Sequence, residues 1–267
     1  MQYRRVNGYD LAYIEVGEGP PLVCVHGTLG DFRVWSPVLG PLSRRHRVIS
    51  LSLRHFFPEH WDGAGADYTI AQHVADIIAF IEASGAGPVD LMGHSRGGHL
   101  AFRVAQQRPD LLRRLVLAEP GGDMDASLTP ASASAAAPSA STRYNAAADR
   151  IRAGDIEGGL MIFSDLVGLP WPGIPATVRQ TWRDNARTLL GQINEKRQPF
   201  SRSDAAAISV PTLFLGGADT PGQLPVVLHA LAAHVRGART EIIPNARHFM
   251  FEDDPVRYCA AVLEFLG

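Results

Sequence analysis

The chain has 267 residues, of which 46% are hydrophobic and 19% are charged. This composition is close to that of an average globular protein and excludes a disordered chain. The 25 basic and 27 acidic residues leave a net charge of −2, which argues against nucleic acid as a partner. The two cysteines cannot form a disulfide framework, and no apolar run approaches the roughly 20 residues of a membrane span. Because residues 1–10 lack a signal-peptide pattern, we expect a cytoplasmic protein.

Short apolar runs, separated by helical patterns, recur along the chain. Six of them are candidate strands, at residues 22–25, 47–53, 89–92, 115–118, 212–215 and 241–243. Short continuous apolar runs are typical of parallel strands that are buried on both faces. The segment 3–16 alternates around a turn at Asn7-Gly8, which predicts an antiparallel hairpin at a sheet edge. Strands that alternate with helices predict an α/β fold with a mostly parallel sheet.

Three helices have clear sequence signals. Thr69-Ile70-Ala71-Gln72 has the pattern of a capping box, and the apolar stripe behind it stops at Gly85. A second helix is predicted over 96–107, and a third begins at Pro255. The periodicity of the third helix predicts a buried face made of Val256, Cys259, Ala260, Leu263 and Leu266.

One stretch interrupts the alternation of strands and helices. The strand runs disappear over residues 121–205, and residues 126–142 are almost entirely Ala, Ser, Pro and Thr without periodicity. We predict a catalytic core formed by 1–120 and 206–267, with 121–205 (the insertion) forming a small helical cap over the sheet. The Ala/Ser-rich segment 126–142 is predicted to be a flexible loop within it.

The strongest motif is Gly93-His94-Ser95-Arg96-Gly97, which fits Gly-x-Ser-x-Gly directly between a strand run and a helix. This context predicts a tight turn that exposes the Ser95 hydroxyl above the sheet. A serine needs a base, and His248 follows the last strand run. A third group must orient the imidazole. We favour Asp219 over Glu119, because the order Ser, Asp, His along the chain is usual for this motif.

The loop after the strand run 22–25 could supply a hydrogen-bond donor to the oxyanion that forms in acyl transfer. His26 and Gly27 follow the strand run 22–25, and a backbone N–H there could lie near Ser95. The N–H of Arg96 is the expected second donor to an oxyanion. The Arg96 side chain is an unusual choice for a first helical turn. We expect it to pair with a carboxylate such as Glu119 or to face water, with recognition of an acidic substrate group as the alternative.

With these motifs the chain resembles the α/β-hydrolase superfamily over about residues 10–120 and 208–267. The resemblance implies an eight-stranded, mostly parallel sheet, a triad of Ser95, His248 and Asp219, and oxyanion donors at Thr28 and Arg96. Within the superfamily, the chain is most similar to capped carboxylesterases and carbon–carbon bond hydrolases. Serine rather than aspartate at position 95 argues against haloalkane dehalogenase or epoxide hydrolase chemistry.

We therefore predict a serine hydrolase that cleaves a small-molecule ester with an apolar part and requires no metal or organic cofactor. Alternatives are a carbon–carbon bond hydrolase or lactonase with the same triad, a ligand-binding receptor with little turnover, and a cofactor-free perhydrolase. Large apolar side chains are candidates for the substrate pocket, although each is also typical of core packing. They are Leu29, Phe32, Trp35, Phe56, Phe57, Trp61, Phe163, Leu166, Leu169 and Trp171.

Overall fold

The computed structural model describes residues 1–129 and 142–267. Its eight strands form one sheet in the order β1-β2-β4-β3-β5-β6-β7-β8. The strands are β1 Gln2–Val6, β2 Tyr9–Val16, β3 Pro21–Val25, β4 Arg47–Leu51, β5 Val89–His94, β6 Leu112–Ala118, β7 Thr212–Gly217 and β8 Arg239–Ile243. β1 pairs antiparallel with β2, and β2 with β4, whereas all pairs from β4 to β8 are parallel. The predicted fold class and the predicted edge hairpin are confirmed.

Helices follow most of the parallel strands. They are α1 Ser36–Ser43, α2 Ile70–Ser84, α3 Arg96–Gln107, α4 Asn145–Arg152, α5 Ile156–Leu166, α6 Ala176–Asp184, α7 Thr188–Gln192, α8 Arg202–Ala206, α9 Gln223–Ala232, α10 Met250–Asp253 and α11 Pro255–Leu266. Among the described residues, none of the helices combines the length and the apolar character that crossing a membrane would demand.

The central strands of the sheet are buried on both faces, which explains why they are continuously apolar. Successive residues of β5 point to opposite sides, so Leu91 belongs to the apolar core on one face and Met92 to the core on the other. β6 repeats the arrangement with Leu115 and Val116. The two cores fix the central strands, and with them the loops at their carboxyl ends, in a rigid frame.

Two helix predictions have different outcomes. The Thr69 hydroxyl accepts a hydrogen bond from the Gln72 backbone N–H, and α2 ends at Gly85 in the left-handed conformation, as expected. The Gln72 half of the capping box is wrong, because the Gln72 amide donates to Asp76 Oδ1 at 2.9 Å. α11 begins at Pro255 as predicted, but its predicted face is wrong in part because Val256 and Ala260 are exposed. Cys259 and Leu266 are buried as predicted, and Tyr258 and Val262 complete the buried face.

The insertion is mostly helical between residues 142 and 192 and irregular over 121–129 and 193–201. Its helices bury a third apolar cluster, which includes Leu160, Phe163, Trp182 and Leu189 together with Leu29 from the loop after β3. The predicted loop over 126–142 lies mostly outside the described residues. The division into a core and a cap at residues 121 and 205 stays a prediction.

Candidate active site

Ser95 lies in the turn between β5 and α3, with φ 54° and ψ −120°. This strained conformation makes a tight turn, in which the backbone at residue 93 lies very close to the backbone at residue 97. A Cβ on Gly93 would lie 2.3 Å from the Gly97 carbonyl oxygen, and one on Gly97 would lie 2.3 Å from the Val25 oxygen. The turn is held to the end of β6, because the Ser95 N–H donates to the Ala118 oxygen at 2.9 Å. The glycines of the motif are thus required by close packing.

His248 follows β8, and its side chain is buried against Glu119 at the end of β6. The His248 Nδ1 lies 2.6 Å from Glu119 Oε2. Since a carboxylate can only accept, Nδ1 carries the proton and Nε2 is left as an acceptor. The other carboxylate oxygen of Glu119, Oε1, accepts a hydrogen bond from the Gly217 N–H at 2.9 Å. Glu119 therefore fixes both the orientation and the tautomer of the imidazole.

Asp219 does not occupy the position predicted for it. It lies past the end of β7 with an exposed side chain, and its backbone N–H donates to the Ala246 oxygen at 2.9 Å. The structure pairs His248 with Glu119 instead, which corrects the preference for Asp219. The physical reason is that β7 lies between β6 and β8 in the sheet, and the glutamate side chain is long enough to reach across its end.

Two glycines at the end of β7 make this reach possible. A Cβ on Gly217 would lie 2.3 Å from the Ala246 oxygen and 2.6 Å from the Arg247 oxygen. A Cβ on Gly216 would lie 3.5 Å from Glu119 Oε1. The Gly-Gly pair therefore lets both the His248 loop and the Glu119 carboxylate approach the strand end. That pair was the sequence signal that could have favoured Glu119.

Two further buried histidines position the loops of the site. His94 Nε2 lies 2.9 Å from the His248 carbonyl oxygen, and the two rings are 4.4 Å apart. His26 Nε2 accepts from the Leu53 N–H at 3.1 Å, so its Nδ1, 2.9 Å from the Gly27 oxygen, is the donor. Burial lowers the pKa of His94 well below its usual range and lowers that of His26 to about 4. Both rings are neutral at physiological pH and hold these loops in place through hydrogen bonds to the backbone.

The Arg96 side chain turns inward and binds Glu195 of the insertion. Its Nε donates to Glu195 Oε1 at 3.0 Å, its Nη2 contacts the same oxygen, and Nη2 also donates to His73 Nδ1 at 2.7 Å. Arg96 thus pairs with a carboxylate as expected, but with Glu195 and not Glu119. Neither the water-facing orientation nor a direct substrate contact through this side chain fits its burial. Glu195 was missed because nothing in the sequence links positions 99 residues apart.

The loop after β3 approaches Ser95 closely. A Cβ on Gly27 would lie 3.0 Å from the Ser95 Cβ. Thr28, the next residue, lines the same cavity as Ser95 and His248. The roles of the Thr28 and Arg96 N–H groups as oxyanion donors stay predictions.

The cavity above Ser95 has a volume of about 520 Å³, which suits a small organic molecule. Its wall in the described part of the chain is formed by Thr28, Ser95, Gly121, Gly122, Arg143, Tyr144, Asp165, Leu166, Val167, Gly168, Arg197, Thr220, Pro221, Gly222, Gln223, Leu224 and His248. Leu166, Val167 and Leu224 make part of this wall apolar. The sequence analysis did not predict the two arginines of the wall, Arg143 and Arg197.

Of the ten apolar side chains predicted to line a substrate pocket, Leu166 alone is part of this described wall. The others pack elsewhere. Leu29 and Phe163 belong to the core of the insertion, Trp35 packs against Phe251, and Phe56 is in the sheet core. The Phe32 ring lies tilted against that of Phe57, and Trp171 packs against the apolar cluster of the insertion. These side chains are fixed by the apolar cores, where large hydrophobic residues are most often found.

Residues 1–129 and 142–267 contain no group of three or more His, Cys, Asp or Glu side chains arranged to hold a metal ion.

The parallel sheet, the serine in its strand-to-helix turn and the His–Glu pair beside it define an α/β hydrolase. The sequence model of the family described as alpha/beta hydrolase fold matches residues 20–255, and the chain belongs to this family.

Individual proteins that are similar to this chain have low sequence identity to it over its full length. An uncharacterized protein of Mycobacterium tuberculosis is 27% identical over 279 residues, covering 100% of this chain and 81% of the relative. The (E)-2-((N-methylformamido)methylene)succinate hydrolase of Acinetobacter baylyi is 36% identical over 113 residues, which are 42% of this chain and 41% of that enzyme. The crystal structure of a hydrolase from Pseudomonas aeruginosa superposes with a TM-score of 0.83 at 22% identity, covering 100% of this chain and 98% of the other.

Proposed function

We propose that the protein is a serine hydrolase that cleaves carboxylic esters through an acyl-enzyme on Ser95. The observation that supports this proposal is the hydrogen bond between His248 Nδ1 and Glu119 Oε2, because it leaves Nε2 free to accept a proton. Ser95 and His248 line one cavity of a size suited to a small substrate. A nucleophile, a base and an acid that orients the base are the parts that acyl transfer needs.

In the proposed reaction, His248 Nε2 removes the proton of the Ser95 hydroxyl as its oxygen attacks the ester carbonyl. The N–H groups of Thr28 and Arg96 stabilise the oxyanion. The same Nε2 then returns the proton to the leaving alcohol, which departs and leaves the acyl-enzyme. Water attacks this ester with His248 again as base, and the carboxylic acid is released. Glu119 stabilises the imidazolium in both halves of the reaction.

The proposal includes the insertion as a cap over the site. It is supported by nine residues of the insertion, among them Arg143, Leu166 and Arg197, which line the cavity together with Ser95. We also keep a cytoplasmic location as a prediction. It is consistent with Cys24 and Cys259, which are free, buried thiols.

The test is hydrolysis of p-nitrophenyl esters of increasing acyl length, together with labelling by a fluorophosphonate. We expect a burst of p-nitrophenol, covalent labelling of Ser95, and a loss of turnover on the order of 10⁴-fold in Ser95→Ala. Ser203→Ala, at an exposed serine of α8, is the matched control and should keep its activity. Absence of both turnover and labelling would favour a ligand-binding receptor. Cleavage of diketones or lactones, or peracid formation, in preference to esters would favour the corresponding alternative.

A further inference from the structure

The wall of the Ser95 cavity contains two arginines, and they differ in exposure. The Arg197 side chain is 7% exposed, whereas Arg143 is half-buried. Among the described residues that line the cavity, one is acidic. It is Asp165, and its side chain is exposed to solvent. A buried guanidinium beside the nucleophile is a costly feature unless a counter-charge is present.

The nearby counter-charge is shared. Glu195 Oε2 accepts from Arg197 Nη2 at 3.1 Å and from its Nε at 3.3 Å, and the same carboxylate binds Arg96. One carboxylate thus serves two guanidinium groups, so these three residues together carry a net charge of about +1. The Nη1 of Arg96 has no hydrogen-bond partner among the described residues.

The second arginine adds to this excess. Arg143 Nη2 donates to Gln223 Oε1 at 3.0 Å, and that amide is neutral. The stretch 130–141, shortly before Arg143 in the sequence, contains only Pro, Ala and Ser and so no acidic residue. The cavity also contains a hydroxyl in need of a partner. Thr220 is nine-tenths buried and lines the wall, and its Oγ1 has no hydrogen-bond partner in the described part of the chain.

We propose that the substrate of Ser95 carries a free carboxylate, which binds Arg197 and is drawn into the cavity by the additional charge of Arg143. The inference rests on the proposed function and names its substrate class, the half-esters of dicarboxylic acids. Arginine matches a carboxylate because its planar group offers paired N–H donors. The apolar side chains Leu166, Val167 and Leu224 suit the methylene chain between the carboxylate and the ester.

The test compares substrates that differ in charge alone. Monoethyl esters of succinic, glutaric and adipic acid are assayed in a pH-stat beside the matched esters in which a primary amide replaces the free carboxylate. We expect kcat/KM for the best half-ester to exceed that of its amide by about 10- to 100-fold, the range expected for a hydrogen bond to a charged group. Equal kcat/KM values for every pair would overturn the proposal.

Substitutions of the two arginines test whether they cause the preference for the half-ester over its amide. Arg197→Gln should reduce the half-ester to amide ratio at least about tenfold, and Arg197→Lys should keep part of it because the charge remains. Arg143→Gln should lower the ratio less. The hydrogen bond that it removes is the one to Gln223, between two partly buried side chains, so this variant also covers the case in which Arg197→Gln does not fold. Arg236→Gln, at an exposed site outside the cavity wall, is the control. Unchanged ratios in both cavity variants would contradict the assignment.

A binding measurement separates this inference from the proposed chemistry. Calorimetry with the Ser95→Ala variant should detect glutarate but not its diamide, and binding should be lost when Arg197→Gln is added. If Ser95 fails to react with fluorophosphonate while glutarate still binds, the hydrolase proposal fails and the anion site stands. If neutral esters are hydrolysed and glutarate does not bind, the hydrolase proposal stands and the anion site fails.

Discussion

The carboxylate of Glu119 reaches His248 across the end of an intervening strand. Glu119 follows β6, His248 follows β8, and β7 lies between these strands in the sheet. The Glu119 Oε2 is 2.6 Å from His248 Nδ1, and Oε1 is held by the Gly217 N–H at the end of β7. Both oxygens are thereby committed, so the carboxylate cannot rotate away from the imidazole without losing a buried hydrogen bond.

This geometry predicts which acid supports turnover. Glu119→Gln should lower kcat for a p-nitrophenyl ester by roughly 10²- to 10⁴-fold, because an amide can donate to Nδ1 and select the wrong tautomer. Asp219→Asn should stay within about threefold of the wild type, since its exposed side chain has no part in orienting His248. Steady-state kinetics on both variants make the comparison.

Glu119→Asp is the informative control for this prediction. It keeps the charge but removes one methylene, so it should lose much of the activity because it no longer reaches His248 past Gly217. Near-normal turnover in Glu119→Gln together with a crippled Asp219→Asn would restore Asp219 as the orienting acid.

The sequence predicts the frame of the molecule well because the central strands are buried on both faces and therefore read as continuous apolar runs. The sequence also predicts the position of Ser95. The turn between β5 and α3 is so tight that it requires glycines two residues before and two residues after the serine, and this pattern is visible in the sequence. The acid was harder to assign. Asp219 and Glu119 both follow strands, and only the order of β6, β7 and β8 in the sheet shows which side chain has the right length.

The rest of the site depends on contacts that leave no local pattern. Arg96 and Glu195 are 99 residues apart, and Glu195 lies in a segment without a strong period. The pocket prediction failed for a different reason. Apolar side chains near a catalytic loop are selected mainly by the cores around them, so Trp35 and Phe56 are core residues while arginines line the cavity.

The close packing of the serine turn can be tested at Gly97. Gly97→Ala places a methyl group 2.3 Å from the Val25 oxygen and 2.4 Å from the His26 oxygen, so the loop that carries Thr28 must move. We expect a loss of about 1–3 kcal/mol in the free energy of unfolding and a large fall in kcat, measured by urea unfolding and ester hydrolysis.

Gly40→Ala provides the matched control. Gly40 lies inside α1, and a Cβ there meets nothing within 4 Å. This variant should be neutral or gain up to about 1 kcal/mol, because alanine is the better helix former. If Gly97→Ala were as stable and as active as Gly40→Ala, the close approach of the serine turn to the β3 loop would be wrong.

Glu195 is expected to be a structural requirement for the insertion. Glu195→Gln leaves the guanidinium groups of Arg96 and Arg197 buried without their shared carboxylate. Loss of one partner of a buried ion pair costs about 3–5 kcal/mol, so the melting temperature should fall by several degrees. Differential scanning calorimetry measures it.

An exposed ion pair of the insertion supplies the comparison. Arg183 and Glu157 are paired on the surface, and both side chains are more than one third exposed. Glu157→Gln should change stability by less than about 1 kcal/mol. Equal effects of Glu195→Gln and Glu157→Gln would mean that the buried cluster contributes no more than a surface pair.

The buried histidines predict that stability falls in mild acid. Burial lowers the pKa of His26 to about 4, and its usual value is about 6.5. Between these values the unfolded chain binds a proton that the folded chain does not, so stability decreases as pH falls from about 6.5 toward 4. Burial lowers the pKa values of His73, His94 and His99 in the same direction.

Two partly buried carboxyls, those of Asp90 and Glu252, oppose this trend. Burial raises the pKa of Asp90 to about 6, so the folded chain binds the extra proton there and gains stability as pH falls below that value. Burial raises the pKa of Glu252 in the same direction as that of Asp90, and it lowers the pKa of His46 as it does those of the other four histidines. Five histidines against two carboxyls should still leave a net loss of stability in acid. For His26 alone the loss between pH 7 and pH 5 is on the order of 2 kcal/mol.

Urea unfolding at several pH values between 7.5 and 5 tests the contribution of His26. The His26→Gln variant should have a lower free energy of unfolding at pH 7.5, because the hydrogen bonds to Leu53 and Gly27 are altered, but a shallower decline with acid. His60→Gln, at an exposed position, controls for the substitution itself. A decline in His26→Gln as steep as that of the wild type would show that His26 does not contribute to the acid sensitivity.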